Sequence, residues 1–137
     1  MTEEQLDQIK QFSISLYEKV DQFHNARHAK LTTTYALMLA KDFPETDLRI
    51  LEAACYLHDI GRVNVDEGHP QESAKLTEPF LEKLQLSSEE KEAILHAIAV
   101  HGPKDIGTAK TIEAKLLYDA DKIQQLSVFA HLQYVSS

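Results

Sequence analysis

The sequence predicts an all-α fold, a single bundle of about six helices. Three observations carry that expectation. Apolar residues recur at steps of three and four along most of the chain, capping residues and glycine or proline stops separate those stretches, and no segment alternates apolar with polar residues as a strand would. No internal repeat or low-complexity stretch interrupts the pattern. With 137 residues, of which 43% are hydrophobic, the chain can bury one core, so residues 1–137 are expected to form one domain.

The elements follow in order. Thr2 with Gln5 and Ser87 with Glu90 fit the capping box, in which a hydroxyl and an amide or acid satisfy free N–H groups of a first turn. The first helix carries Leu6, Ile9, Phe12, Ile14 and Tyr17 and is expected to run to about Val20. Asn25 caps a second, on which His28, Leu31, Tyr35 and Met38 share one face, so that His28 points toward the core. Pro44 breaks the chain. A third helix from about Asp47 places Leu48, Leu51, Cys55 and His58 on one stripe, and Ile50, Ala53, Ala54, Tyr56 and Leu57 make it apolar almost all round, as in a helix buried by its neighbours. Gly61 is expected to end it in the left-handed conformation. A fourth helix is expected over about Gln71 to Leu84, a fifth over about Ser88 to His101 before Gly102 and Pro103, and a sixth over about Thr111 to Leu132.

Composition narrows the function. The 22 acidic against 14 basic residues give a formal net charge of −8, which repels phosphate backbones and anionic lipid and argues against bulk nucleic-acid binding. A small phosphate ester remains compatible, because a divalent cation reverses the local field whatever the net charge. Cys55 is the only cysteine, so neither a disulfide framework nor a cysteine zinc cluster is available, and its apolar neighbours indicate a packed thiol in a reducing compartment. The acidic start MTEEQLDQIK is unlike a signal peptide, and no apolar run approaches the roughly 18 residues of a membrane span. A soluble, cytoplasmic protein is expected.

The stretch CYLHDIGR, Cys55 to Arg62, ends the most apolar helix with two metal-competent groups side by side. A lone histidine on an apolar face is more often a satisfied core residue than a ligand, so the case rests on the set of seven, at 24, 28, 58, 69, 96, 101 and 131. His28 faces inward, and His58 and Asp59 sit where adjacent side chains can splay around one point. Asp119 and Asp121 interrupt an apolar segment of Leu116, Leu117, Ala120 and Ile123; carboxylates buried there require a counter-charge. A divalent cation would supply it, and periodicity alone does not choose between the two aspartates. Two imidazoles with carboxylates suit manganese, iron, magnesium, nickel or cobalt, and are less diagnostic of zinc.

The order His28, His58-Asp59, Asp121, in the context FHNARH, AACYLHDIGR, GHPQESA, AIAVH and DADKI, resembles the HD superfamily of metal-dependent phosphohydrolases over most of the chain. The resemblance implies that His28, His58, Asp59 and Asp121 bind a metal, Asp121 being chosen over Asp119 by the A-D-K match. His69 and His101 match positions that in some members bind a second metal or the substrate phosphate, with Asp59 then bridging the ions. One or two divalent ions are therefore expected, manganese, iron, magnesium, nickel, cobalt or zinc. His58 and Asp59 would act at the reacting centre, in-line attack on a phosphomono- or phosphodiester coming from metal-activated water.

Lys122, Arg62, Arg27 and Lys104 are candidate phosphate contacts by their nearness in sequence to these positions, and His24 a candidate for orienting substrate; solvated or helix-end charge is the plain alternative for each cation. His96 and His131 are weaker, the first lying on a different helical face from His101 and the second read as surface. Many relatives continue past the last ligand with further helices, whereas sixteen residues follow Asp121 here; a homodimer would finish such a pocket. Three other readings stand beside hydrolysis: a two-iron oxygenase on a related scaffold using the same six ligands, a binding or signalling module without turnover, and a plain bundle with core histidines.

Overall fold

The computed structural model describes residues 1–20 and 25–136, with side chains as far as residue 126. Among them the secondary structure is helical throughout: α1 (Glu3–Tyr17), α2 (Ala26–Ala40), α3 (Leu48–Leu57), α4 (His69–Leu84), α5 (Ser88–Ala99) and α6 (Ile112–Ser136), with short 3-10 turns at Ile60–Val63 and Ile106–Thr108. The all-α expectation holds, and none of these helices is long and apolar enough to cross a membrane.

The caps form as their chemistry dictates. Both capping boxes close, Thr2 with Gln5 and Ser87 with Glu90. Asn25 accepts from the Arg27 N–H, Asp47 from those of Arg49 and Ile50, and Thr111 Oγ1 from that of Ala114 at 3.2 Å. Each supplies an oxygen to N–H groups that the first turn leaves without a partner.

Helix ends differ from the sequence expectation where the last turn tightens. Lys19 and Val20 bond back to Leu16 and Tyr17, so α1 closes in a three-residue pattern rather than running on to Val20. Val100, at φ −100° and ψ 9°, leaves the helix and ends α5 at Ala99, short of His101. The fourth helix begins earlier than expected, at His69, with Pro70 in its first turn, where the missing proline N–H would have had no helical partner.

α3 is the buried axis. Leu51, Ala53, Ala54, Cys55 and Leu57 have no solvent exposure, and the helix packs against α1, α2, α5 and α6. Burial raises the Cys55 thiol pKa well above its usual value, so it is a packed thiol, as expected. α1 is fastened across to α4 by the stacked Phe12 and Phe80 rings, 4.1 Å apart, and by Gln5 Nε2 donating to Leu84 O at 2.9 Å.

Gly61 corrects the sequence reading. It does not take a left-handed conformation; among the described glycines only Gly68 has positive φ, 77°, at the start of α4. Gly61 is instead the point where the 3-10 turn meets α4: a Cβ there would lie 2.6 Å from both His69 O and Ser73 N. Its own N–H donates to Ser73 Oγ at 2.8 Å. The absent side chain lets α4 begin directly beside the end of α3.

Candidate metal centre

Five elements meet at one buried point. α2 brings His28, the end of α3 brings His58 and Asp59, the start of α4 brings His69, the residue after the α5 cap is His101, and α6 brings Asp121. One atom from each of His28, His58, Asp59 and Asp121 falls within a 4.8 Å group, and Asp59, His69 and His101 form a second such group. His58 is fully buried, and His28, Asp59, His101 and Asp121 nearly so; His69 is half-buried.

Asp59 stands between the groups. Its Oδ2 lies 3.2 Å from His28 Nε2 and 3.5 Å from His58 Nε2, while its Oδ1 lies 3.1 Å from His69 Nε2 and 3.5 Å from His101 Nε2. Asp121 Oδ1 is 3.0 Å from His28 Nε2 and 3.5 Å from His58 Nε2.

The far side of every ring faces an oxygen. His58 Nδ1 lies 2.6 Å from Cys55 O, His101 Nδ1 2.6 Å from Ile98 O, His69 Nδ1 3.1 Å from Asp66 O, and His28 Nδ1 2.7 Å from Gln124 Oε1. A ring nitrogen facing an acceptor must carry the proton, which leaves Nε2 of a neutral imidazole with its lone pair toward the centre. With every Nε2 free of its proton, four lone pairs and two carboxylates converge, with His28 Nε2 3.3 Å from His58 Nε2 and His69 Nε2 3.1 Å from His101 Nε2. Asp59 Oδ1 and Asp121 Oδ1 are buried yet make no hydrogen bond of good geometry, although ring nitrogens crowd them. Such an arrangement of acceptors is complementary to a cation.

The titration behaviour reports the same field. Burial alone would lower the His28 pKa, but the Asp121 and Asp59 carboxylates outweigh it and raise it to about 10. His58 moves up for the same reason, against burial and against its neighbour His28. Burial opposes ionisation of Asp59 and Asp121 as well, yet the surrounding histidines hold both below the usual carboxylate range. His101, pressed by burial and by His58, is lowered. In the metal-free chain the carboxylates are thus charged and His28 holds a proton that a divalent ion would replace.

The other sequence candidates separate clearly. Asp119 is exposed, contrary to the expectation that both aspartates of DADKI lie buried: the two residues point to different sides of α6, and only Asp121 faces inward. Arg62 reaches the cluster, with Nε 3.5 Å from Asp59 Oδ1 and Nη2 3.5 Å from His69 Nε2. Lys122 sits over the Tyr118 ring, 5.3 Å from its centroid. Arg27 and Lys104 are exposed. His96 accepts from the Lys110 N–H at 3.0 Å, away from the cluster. His24 and the side chain of His131 lie outside the described residues.

Two participants were missed in the sequence, Gln124 and Tyr17. Gln124 follows Asp121 by three residues and so shares its face, a signal that was available. Tyr17 accepts the Asp59 N–H at 3.2 Å across 42 positions, and no local pattern marks it.

Among protein-family models, the HD domain matches residues 25–126. No curated protein and no solved structure matches the chain significantly.

Proposed function

Because the chain belongs to the HD-domain family, whose match covers residues 25–126 of 137, we propose that it is a metal-dependent phosphohydrolase acting on a small phosphomono- or phosphodiester. The observation that carries this reading is the convergence of four imidazole Nε2 atoms and two carboxylates, each ring turned by an oxygen at its Nδ1. His28, His58, Asp59 and Asp121 would hold one divalent ion, and Asp59 with His69 and His101 a second. The donor set contains nitrogen and oxygen but no thiolate, and its four imidazoles favour manganese, iron, cobalt or nickel over magnesium and over a structural zinc site.

A divalent ion held there supplies an activated water and neutralises charge on phosphoryl oxygens. The chain's own groups do the rest. Asp59 serves both histidine groups through separate oxygens and keeps them at a fixed separation. Arg62, its side chain 16% exposed against 2% for Asp59, stands on the solvent side of the cluster and is the cation best situated to receive a phosphate oxygen. The burial of His28, His58 and Asp121 strengthens every charge interaction at the centre.

The test is metal content per chain by plasma mass spectrometry, on protein purified without chelator, beside a His58→Ala, Asp59→Ala double variant. One or two ions lost in the variant are expected, followed by phosphate release in a screen of phosphate esters with that metal, abolished by Asp59→Ala. Absence of metal in the wild-type chain even after loading sinks the metal reading. Metal without turnover transfers the case to a binding module, and oxygen consumption by iron-loaded protein to an oxygenase.

A further inference from the structure

We infer that Tyr17, on α1 and outside the residues matched to the family, is a positioning residue that aims Asp59 into the metal centre. The inference rests on the metal-site reading above, and its test separates the two.

The argument starts at the C-terminal end of α3. In a continuing helix the Asp59 N–H would donate to the carbonyl four residues back, Cys55 O. That carbonyl is instead engaged by His58 Nδ1 at 2.6 Å. Asp59 departs from the helix at φ −111° and ψ 6°, and its N–H is received by Tyr17 Oη at 3.2 Å. The same hydroxyl donates to Tyr56 O at 2.7 Å, a carbonyl of the last helical turn. One phenol oxygen therefore splices the break, accepting from residue 59 and donating to residue 56.

The consequence lies in aim. Asp59 addresses two histidine groups with different oxygens at 3.1 to 3.5 Å, so a small rotation of its backbone moves both oxygens off their partners. Tyr17 is 1% exposed. Its helix is also fastened to α4 by the Phe12–Phe80 stack, so the hydroxyl is held by contacts besides those to residues 56 and 59.

Tyr17→Phe keeps the ring and removes only the oxygen. Three readouts on the full chain are compared with wild type: hydrogen exchange of the Asp59 amide in metal-free protein, cobalt(II) affinity by competition with a chelating dye, and the cobalt(II) d–d absorption spectrum. The expected result is selective exchange of the Asp59 amide at least about tenfold faster, with α6 amides unchanged. Cobalt affinity should fall about tenfold or more, and the d–d bands should shift. Wild-type protection of the Asp59 amide together with an unaltered cobalt spectrum overturns the inference. A wild-type chain that binds no cobalt removes the metal reading, while the amide measurement still decides the role of Tyr17. Should Tyr17→Phe not fold, the labelled wild-type protein carries the test: a slowly exchanging Tyr17 hydroxyl proton with a cross-peak to the Asp59 amide is expected, and its absence overturns the assignment.

Discussion

His58 and His101 are oriented by the same device, a ring Nδ1 bonded to the carbonyl three residues back at 2.6 Å in each case. The local backbone therefore sets both tautomers. His28 draws on a side chain, the buried Gln124 amide oxygen. Gln124→Leu should therefore weaken metal binding by roughly 10- to 100-fold with little change of fold, measured by chelator competition and far-ultraviolet circular dichroism. The His28 shift also makes a pH prediction. Its folded pKa, about 10, lies above the free value of 6.5, so the metal-free chain keeps this proton through the neutral range. The stability it contributes is full below pH 6.5 and is lost as pH rises through about 10. Metal binding must expel the same proton, so affinity should climb with pH, by up to about tenfold per unit in that window. Calorimetry in buffers of different ionisation enthalpy should report proton release near neutral pH; metal uptake without proton release would contradict this.

At the scale of elements, the decisive contact is that of α4 with the 3-10 turn after α3. Gly61→Ala sets a methyl 2.6 Å from two backbone atoms of α4, and backbone cannot swing aside as a side chain would. The expected cost is roughly 1–3 kcal/mol in urea denaturation. The start of α4 should move outward, carrying His69 from Asp59, while the His28, His58 and Asp121 side stays assembled. A chain retaining one tightly bound ion and losing the weaker one, read by metal titration, is the expected outcome. This contact was misread in the sequence as a left-handed stop, because a glycine after a helix has two uses, conformational freedom and close approach, and local sequence does not distinguish them. Helix existence was legible throughout, since periodicity and caps are local. The helix ends were less so: Val100 turns out of α5 while its ring-bearing neighbour His101 joins the cluster.

At the scale of the whole molecule, the cluster draws on α2, α6 and the ends of α3, α4 and α5, so a cation bound there ties together helices far apart in sequence. The folded state alone presents that set, and metal should stabilise it by about 2.7 kcal/mol when free metal is a hundredfold above its dissociation constant. The midpoint of thermal unfolding should rise on loading and fall back with chelator; an unchanged midpoint would mean that the cluster binds no ion. The sequence by itself determined the helical class, the inward face of His28 and the position of His58 and Asp59 at the end of the most apolar helix, since each follows from spacing within one segment. It left Asp119 and Asp121 level until a resemblance favoured the second. Only the tertiary structure decided that Asp121 is buried and Asp119 exposed, that Asp59 faces two histidine groups at once, that the Tyr17 hydroxyl receives the Asp59 N–H, and that Gln124 faces the His28 ring. The reason is physical: these are contacts between segments 42 and 96 positions apart, set by how helices pack and not by the pattern within any one of them.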